Sequence, residues 1–417
     1  MERTILHVDL NNFYASVECL YRPEIRDKFV VVGGDVKARS GIVLAKNNRA
    51  KARGIKTGMV LWQAKQLCPD MIVIPPNYRL YSHFSNTFRD LLRNYTEQVE
   101  PFGLDECWCD VTNSLHLFGN GEQIANQIRD RIKYELGVTA SIGVSFNKIF
   151  AKLGSDMKKP DATTVISKEH YKKEIWSLPV ADLLYVGRST NNKLSRYGIT
   201  TIGELANTNA EQLHTILGKW GYVLHSFANG EDNTPVSNCL KEDTIKGIGN
   251  SKTAPRDLTC IDDVNIIMHV LCESVTMRLR DNGLIGRTVQ ISLRNNELFT
   301  FERQGKLNRA SGLAYEIHAK AMELVKNNYT FYKPLRSVGV RVTDLSSAFE
   351  NMQLSMFEDE EKRIKLSKVE NAVFELRERF GNQAVKKCIM LCDDMGKLNP
   401  KGDNFNPFVS YFNGSIV

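Results

Sequence analysis

Apolar spacing changes twice along this 417-residue chain, and that change constrains the fold more than any other feature. Up to about residue 166, period-two runs typical of strands interleave with the three-to-four spacing of amphipathic helices. Residues 4–9 (TILHVD), 28–32, 41–45 and 139–144 read as strands; 12–20, 81–95 and 124–136 read as helices. Residues 99–111 carry Pro101 and Gly103 centrally and alternate afterwards, which predicts a hairpin with acids at its turn. From 167 to 240 the strand pattern vanishes, and helices open near Gly187 and Gly198. A polar linker follows, and then strands and helices return. Asp262 or Asp263 caps a helix through Leu279, strands span 287–294 and 335–342, and a helix runs through Leu313, Ile317 and Leu324. The expected class is α+β, multidomain.

Composition narrows the function classes. An apolar share of 42% supports packed cores and excludes wholesale disorder. No run approaches the roughly 18 apolar residues that a spanning helix needs. Nine cysteines with only CxC and CxxxC spacings fit neither a disulfide framework nor a zinc site. With no secretory pattern at the N-terminus, the expectation is a reducing, cytoplasmic location. Nearly all of the +7 net charge falls in one segment: residues 246–343 hold 15 basic and nine acidic side chains. Its two strands alternate Val289, Ile291, Leu293 and Val338, Val340, Val342 with polar and basic residues. A sheet with one open basic face suits a polyanion such as a phosphate backbone; a solvated basic face without a partner is the alternative.

Asp9 closes the first strand between Val8 and Leu10, and Asp105-Glu106 sits at the hairpin turn between Leu104 and Trp108. Carboxylates in apolar surroundings are unfavourable unless paired or metal-bound. Three hard oxygen donors converging on one spot would suit Mg²⁺.

These residues resemble a family. HVDLNNFYASVE (7–18) is similar to the opening motif of the Y-family translesion DNA polymerases, the UmuC/DinB-like or ImpB/MucB/SamB group. Residues 99–111 resemble their second carboxylate motif, with Gly103 where Ser is usual. SIGVSFNKIFAKLGSDMKKPD (141–161) and GIGNSKTAPRDL (247–258) are similar to the close of their palm and the start of their little finger. The resemblance implies a right-hand polymerase: palm (1–12 and 79–166), fingers (13–78), helical, helix-hairpin-helix-like thumb (167–240), linker (241–246), little finger (247–345) and C-terminal tail (346–417). It implies that Asp9, Asp105 and Glu106, with the Leu10 carbonyl, hold two Mg²⁺ ions. Tyr14 falls at the steric gate that rejects a 2′-hydroxyl. Asn12, Phe13, Tyr14, Asn48, Lys51 and Lys159 fall at nucleotide-binding positions, Asn48 and Lys51 standing where DinB-like members tend to have Tyr and Arg. Arg49 is a candidate to compensate for the weaker lysine grip.

QLSMF at 353–357, ahead of an acidic run, resembles the bacterial sliding-clamp-binding pentapeptide, with Gln353, Leu354, Met356 and Phe357 as its contacts. An apolar plug on the protein's own surface is the alternative. Val369, Val373, Leu376 and Phe380 then stripe a helix ended by Gly381. The expected activity is template-directed synthesis past damaged bases, with primer–template DNA and dNTP as substrates. Two rival readings are a palm-type nucleotide cyclase and a non-catalytic clamp-associated DNA-binding protein.

Overall fold

The computed structural model describes residues 2–34, 41–238, 245–348, 360–381 and 384–391. Among these, the strands are β1 (Ile5–Leu10), β2 (Val30–Gly33), β3 (Val43–Lys46), β4 (Ile72–Ile74), β5 (Val99–Pro101), β6 (Glu106–Asp110), β7 (Ala140–Ser145), β8 (Thr163–Ile166), β9 (Gly247–Leu258), β10 (Leu284–Asn295), β11 (Thr300–Ser311) and β12 (Leu335–Ser347). The chain divides into two compact units.

The first unit comprises Met1–Gly33, Val43–Met59 and Gln63–Glu242. Its main sheet has the order β5-β6-β1-β7-β8, so β1 is central and all six of its residues are buried. Leu6, Val8 and Leu10 join the larger core, together with Phe88, Leu92 and Ile142. The opposite face of β1, bearing Ile5, His7 and Asp9, lies toward the Lys148–Met157 helix. That helix seats tightly because β7 offers Gly143: a Cβ there would lie 1.9 Å from the Ala151 carbonyl oxygen. A smaller sheet, β3-β2-β4, adjoins the Phe13–Tyr21 helix. From residue 167 to 238 the described backbone is helical, without a ladder strand. Gly187 is the N-cap of Arg188–Ser195, and Thr201 with Glu204 forms a capping box on Ile202–Asn207.

In the second unit the antiparallel sheet β11-β10-β12-β9 is covered on one face by the helices Ile261–Asp281 and Ala314–Asn328. Val289, Ile291, Leu293, Val338, Val340 and Val342 all point into that core. Ladder register puts Lys306, Thr288 and Thr343 in one row of the other face, Gln304, Gln290 and Arg341 in the next, and Arg294 with Ser337 further on. Lys306, Arg341 and Arg294 are exposed.

One expectation needs correction, and two strands escaped the spacing. β9 and β11 have no clean apolar alternation because they are the sheet's two edges, where one side of each strand meets solvent. Cys260, not an aspartate, is the N-cap of Ile261–Asp281; Asp263 in the first turn instead accepts from the Thr259 N–H at 2.9 Å and grips Arg256. The C-terminal helix Glu360–Phe380 forms where the spacing predicts, with Val369, Leu376 and Phe380 exposed and Val373 half-buried. Charge contributes to its docking. Arg363 meets Glu316 at 2.8 Å, and Glu370 accepts from the Ala314 and Tyr315 amides that begin a helix. Arg377 pairs with buried Glu273 at 3.1 Å.

Candidate active site

Asp9 and Glu106 are direct partners in the β1–β6 ladder, and the Leu10 N–H donates to the Asp105 carbonyl at 2.9 Å. Gly103, at φ +88°, makes the hairpin turn that sets Asp105 beside β1, and its carbonyl accepts from Arg89 at 2.8 Å. The left-handed conformation explains why a glycine stands there. The structure therefore brings Asp9, Asp105, Glu106 and the Leu10 backbone to one place.

The electrostatics of this cluster are unusual. Burial and the charge of Glu106 push the Asp9 carboxyl up to about 6. Burial, then Asp9 and Glu106, push Asp105 up to about 7. Three ammonium groups lie against acids in and around this cluster. Lys159 Nζ lies 2.5 Å from Asp9 and 2.8 Å from Asp156, Lys152 Nζ 2.6 Å from Glu106, and Lys148 Nζ 2.6 Å from Glu100. Burial pulls the Lys159 pKa down, but Asp9 and Asp156 outweigh it and hold it above its ordinary value. Crowded oxygen donors that repel one another and recruit lysines form a set suited to a hard divalent cation.

Sequence reasoning missed His7. Its ring is fully buried; Nδ1 bonds Ser155 Oγ at 2.8 Å and Nε2 lies 3.3 Å from Glu106. Burial, then Lys152, holds its pKa well below the ordinary value, so it is neutral at neutral pH. Ser155 also reaches the Lys152 carbonyl with its hydroxyl at 2.7 Å, so His7, Ser155 and the helix backbone form one chain of contacts. Strand periodicity is the signal that reaches His7, two residues before Asp9 on the same face.

Tyr14 is half-buried and stacks on Tyr81, centroids 4.3 Å apart, with Phe13 and Tyr78 at its edges. Burial, then the charge of Asp105, raises its phenol pKa. Asn12, at φ 50°, donates to Asn48 Oδ1 at 2.8 Å. Both line a cleft of about 300 Å³ with Ser16, Arg26, Arg49 and Thr139. Lys51 and Lys159 are not among its lining residues, and Arg49 is paired with Asp27 at 3.0 Å. Gln353, Leu354, Met356 and Phe357 lie outside the described residues.

Comparison with known proteins gives the same family along the chain. Residues 8–156 match the impB/mucB/samB family model and 245–356 its C-terminal domain; 181–232 match a model described as the DNA polymerase-iota thumb domain. The chain is 54% identical over 393 residues to DNA polymerase IV of Acetivibrio thermocellus, covering 94% of this chain and 98% of that one. It is 37% identical over 392 residues to DNA polymerase IV of Clostridium kluyveri, covering 93% and 98%. Among solved structures, a Y-family DNA polymerase chimera shares the fold at TM-score 0.73 and 23% identity, over 82% of this chain and 98% of that chain. No described helix is long and apolar enough to cross a membrane. Neither rival reading finds support in these matches. The chain belongs to the impB/mucB/samB family of Y-family polymerases: it is a DNA-directed DNA polymerase of the translesion type, acting on DNA and dNTPs and dependent on divalent metal.

Proposed function

We propose that Asp9, Asp105, Glu106 and the Leu10 carbonyl hold two Mg²⁺ ions, and that deoxynucleotide transfer to a primer 3′-hydroxyl takes place beside them. The observation that carries this reading is the convergence of Asp9, Asp105 and Glu106 where β1 meets β6, with Lys159 on Asp9 and Lys152 on Glu106. When bound, the ions activate the primer hydroxyl and neutralise the triphosphate and leaving pyrophosphate.

The chain's own groups supply the rest. Lys159 leaves Asp9 to pair with triphosphate oxygens, a point charge exchanging one anion for another. Asn12, Phe13, Asn48 and Lys51 line the nucleotide's path. Tyr14, braced by Tyr81, sits under the sugar as the gate against a 2′-hydroxyl. The main sheet with its helices serves as palm (1–12, 79–166), residues 13–78 as fingers, 167–240 as thumb and 247–345 as little finger, joined by 241–246. The open face with Arg294, Lys306 and Arg341 tracks the DNA backbone. Within the tail (346–417), Gln353, Leu354, Met356 and Phe357 dock on a bacterial sliding clamp, and the enzyme works in the cytoplasm.

Primer extension with Mg²⁺ on plain and lesion-bearing templates tests this function. Extension past the lesion by the wild type and its loss in Asp9→Ala are expected; extension that survives Asp9→Ala would place the chemistry elsewhere.

A further inference from the structure

Asn11 is a buried side chain for which the mechanism above has no use, and its bonds are unusually complete. It follows β1 directly and is 5% exposed. Its backbone N–H donates to the Thr139 carbonyl at 2.8 Å, and its carbonyl accepts from the Ser16 hydroxyl at 2.7 Å. The side chain reaches three more groups. Oδ1 accepts from the Asp161 N–H at 2.9 Å and from the Thr139 hydroxyl at 3.1 Å, while Nδ2 donates to Ser141 Oγ at 2.9 Å. Since a backbone N–H can only donate, the Asp161 contact fixes which end of the amide is oxygen.

Asp161 lies two residues after Lys159, at φ 52°, a conformation uncommon for a residue other than glycine. It is held from both sides. Asn11 takes its amide, while Lys133 at 3.0 Å and Arg129 at 3.5 Å take its carboxylate. The turn bearing Lys159 is therefore pinned two residues beyond that lysine, by a side chain two residues beyond Asp9.

We propose that Asn11 is a positioning residue for Lys159: its side-chain amide, bonded to the Asp161 N–H, fixes the turn that presents the lysine to the triphosphate. This rests on the reading of Lys159 as a triphosphate contact. Asn11 touches no substrate and acts on the nucleotide only through the lysine. Asparagine suits the role because one side chain accepts two hydrogen bonds and donates a third without adding charge beside Asp9. Aspartate keeps both acceptor roles, and the Ser141 hydroxyl can turn to donate to it.

Single-nucleotide insertion on undamaged primer–template separates the possibilities. Asn11→Leu, similar in size and without hydrogen bonds, should raise KM for the incoming dNTP about tenfold and move kcat by less than about twofold. Asn11→Asp, which keeps both acceptors but adds a charge beside Asp9, should bring KM part of the way back toward wild type. Adding Asn11→Leu to Lys159→Ala should raise KM no further than Lys159→Ala alone, because the lysine being positioned is gone. A merely structural role would lower kcat through a smaller active fraction and leave KM in place, and that result overturns the inference. Additive effects in the double variant overturn it too. If Lys159→Ala leaves KM unchanged, the lysine's own assignment falls and this one with it. If Lys159→Ala raises KM and Asn11→Leu does not, only the role of Asn11 falls. Should Asn11→Leu not fold, Lys133→Met releases the same turn from its solvent side and must raise KM in the same direction, or the inference fails.

Discussion

Asp9 and Glu106 face each other across the β1–β6 ladder, yet each is bonded to a lysine of its own, Lys159 at 2.5 Å and Lys152 at 2.6 Å. Two acids that repel across a ladder are thus held by opposite charges arriving from one helix and the turn behind it. Removing a carboxylate from such a cluster relieves repulsion, whereas removing a lysine exposes it.

Asp105→Ala is expected to abolish primer extension, by at least about a thousandfold, while DNA affinity stays near wild type. Gel-shift affinity and single-turnover extension on the same preparation check both halves. Robust extension would remove Asp105 from the metal set.

The acids also set a pH dependence for the metal-free protein. Asp9 and Asp105 are raised to about 6 and about 7 in the fold. A carboxyl with a raised folded pKa binds its proton more tightly folded than unfolded. The contribution of these two groups to stability therefore falls as pH climbs from the unfolded carboxylate value of about 4 to about 7. In EDTA, Asp105→Asn should be more stable than wild type at about pH 8 by on the order of 2 kcal/mol, after discounting for solvent screening and coupling. Urea melts of both proteins at about pH 4 and about pH 8 measure it, and a difference that does not grow with pH contradicts it.

Replacing Tyr14 with Ala should raise ribonucleotide incorporation relative to deoxyribonucleotide by on the order of a hundredfold, since rejection of the 2′-hydroxyl is steric. Competing-nucleotide insertion reads the ratio directly. An unchanged ratio moves the gate away from the Tyr14–Tyr81 stack.

On the second unit, changing Arg294, Lys306 and Arg341 together to Ala should weaken binding uniformly across sequences. It should also flatten the log affinity–log salt slope by about one for each phosphate that a side chain no longer neutralises. Fluorescence anisotropy over a salt series gives the slope, and no change would assign the phosphate-binding role to another surface.

Met356→Ala combined with Phe357→Ala should weaken sliding-clamp binding by more than about a hundredfold and leave synthesis on naked primer–template intact. Co-elution of the double variant with the clamp defeats the motif. Loss of activity on naked DNA to the same degree would favour the self-plugging alternative.

The convergence of Asp9, Asp105 and Glu106 was legible from sequence because acids flanked by apolar residues at strand ends carry their own warning. The central strand, the hairpin and the alternating cores of β10 and β12 were legible for the same local reason. His7, Lys152 and Asn11 were not. Their roles depend on how closely the Lys148–Met157 helix seats on Gly143 and on where the Asp161 turn comes to rest, and neither distance is written in periodicity. The edge strands β9 and β11 escaped because one-sided contact dilutes alternation. In the C-terminal helix the spacing gave the helix and not its contacts: Arg363, Glu370 and Arg377, two turns apart each time, bond to the rest of the unit.

That docked face has a thermodynamic consequence. A helix seated in part by ion pairs and by a carboxylate on another helix's first amides owes that part of its docking to charge, which dissolved ions can weaken. The partly exposed pairs along it weaken as ions screen them, while Arg377–Glu273, buried on both sides, is shielded far more. The outer layer of the second unit is accordingly graded, tethered firmly near Arg377 and responsive to ionic strength toward Arg363.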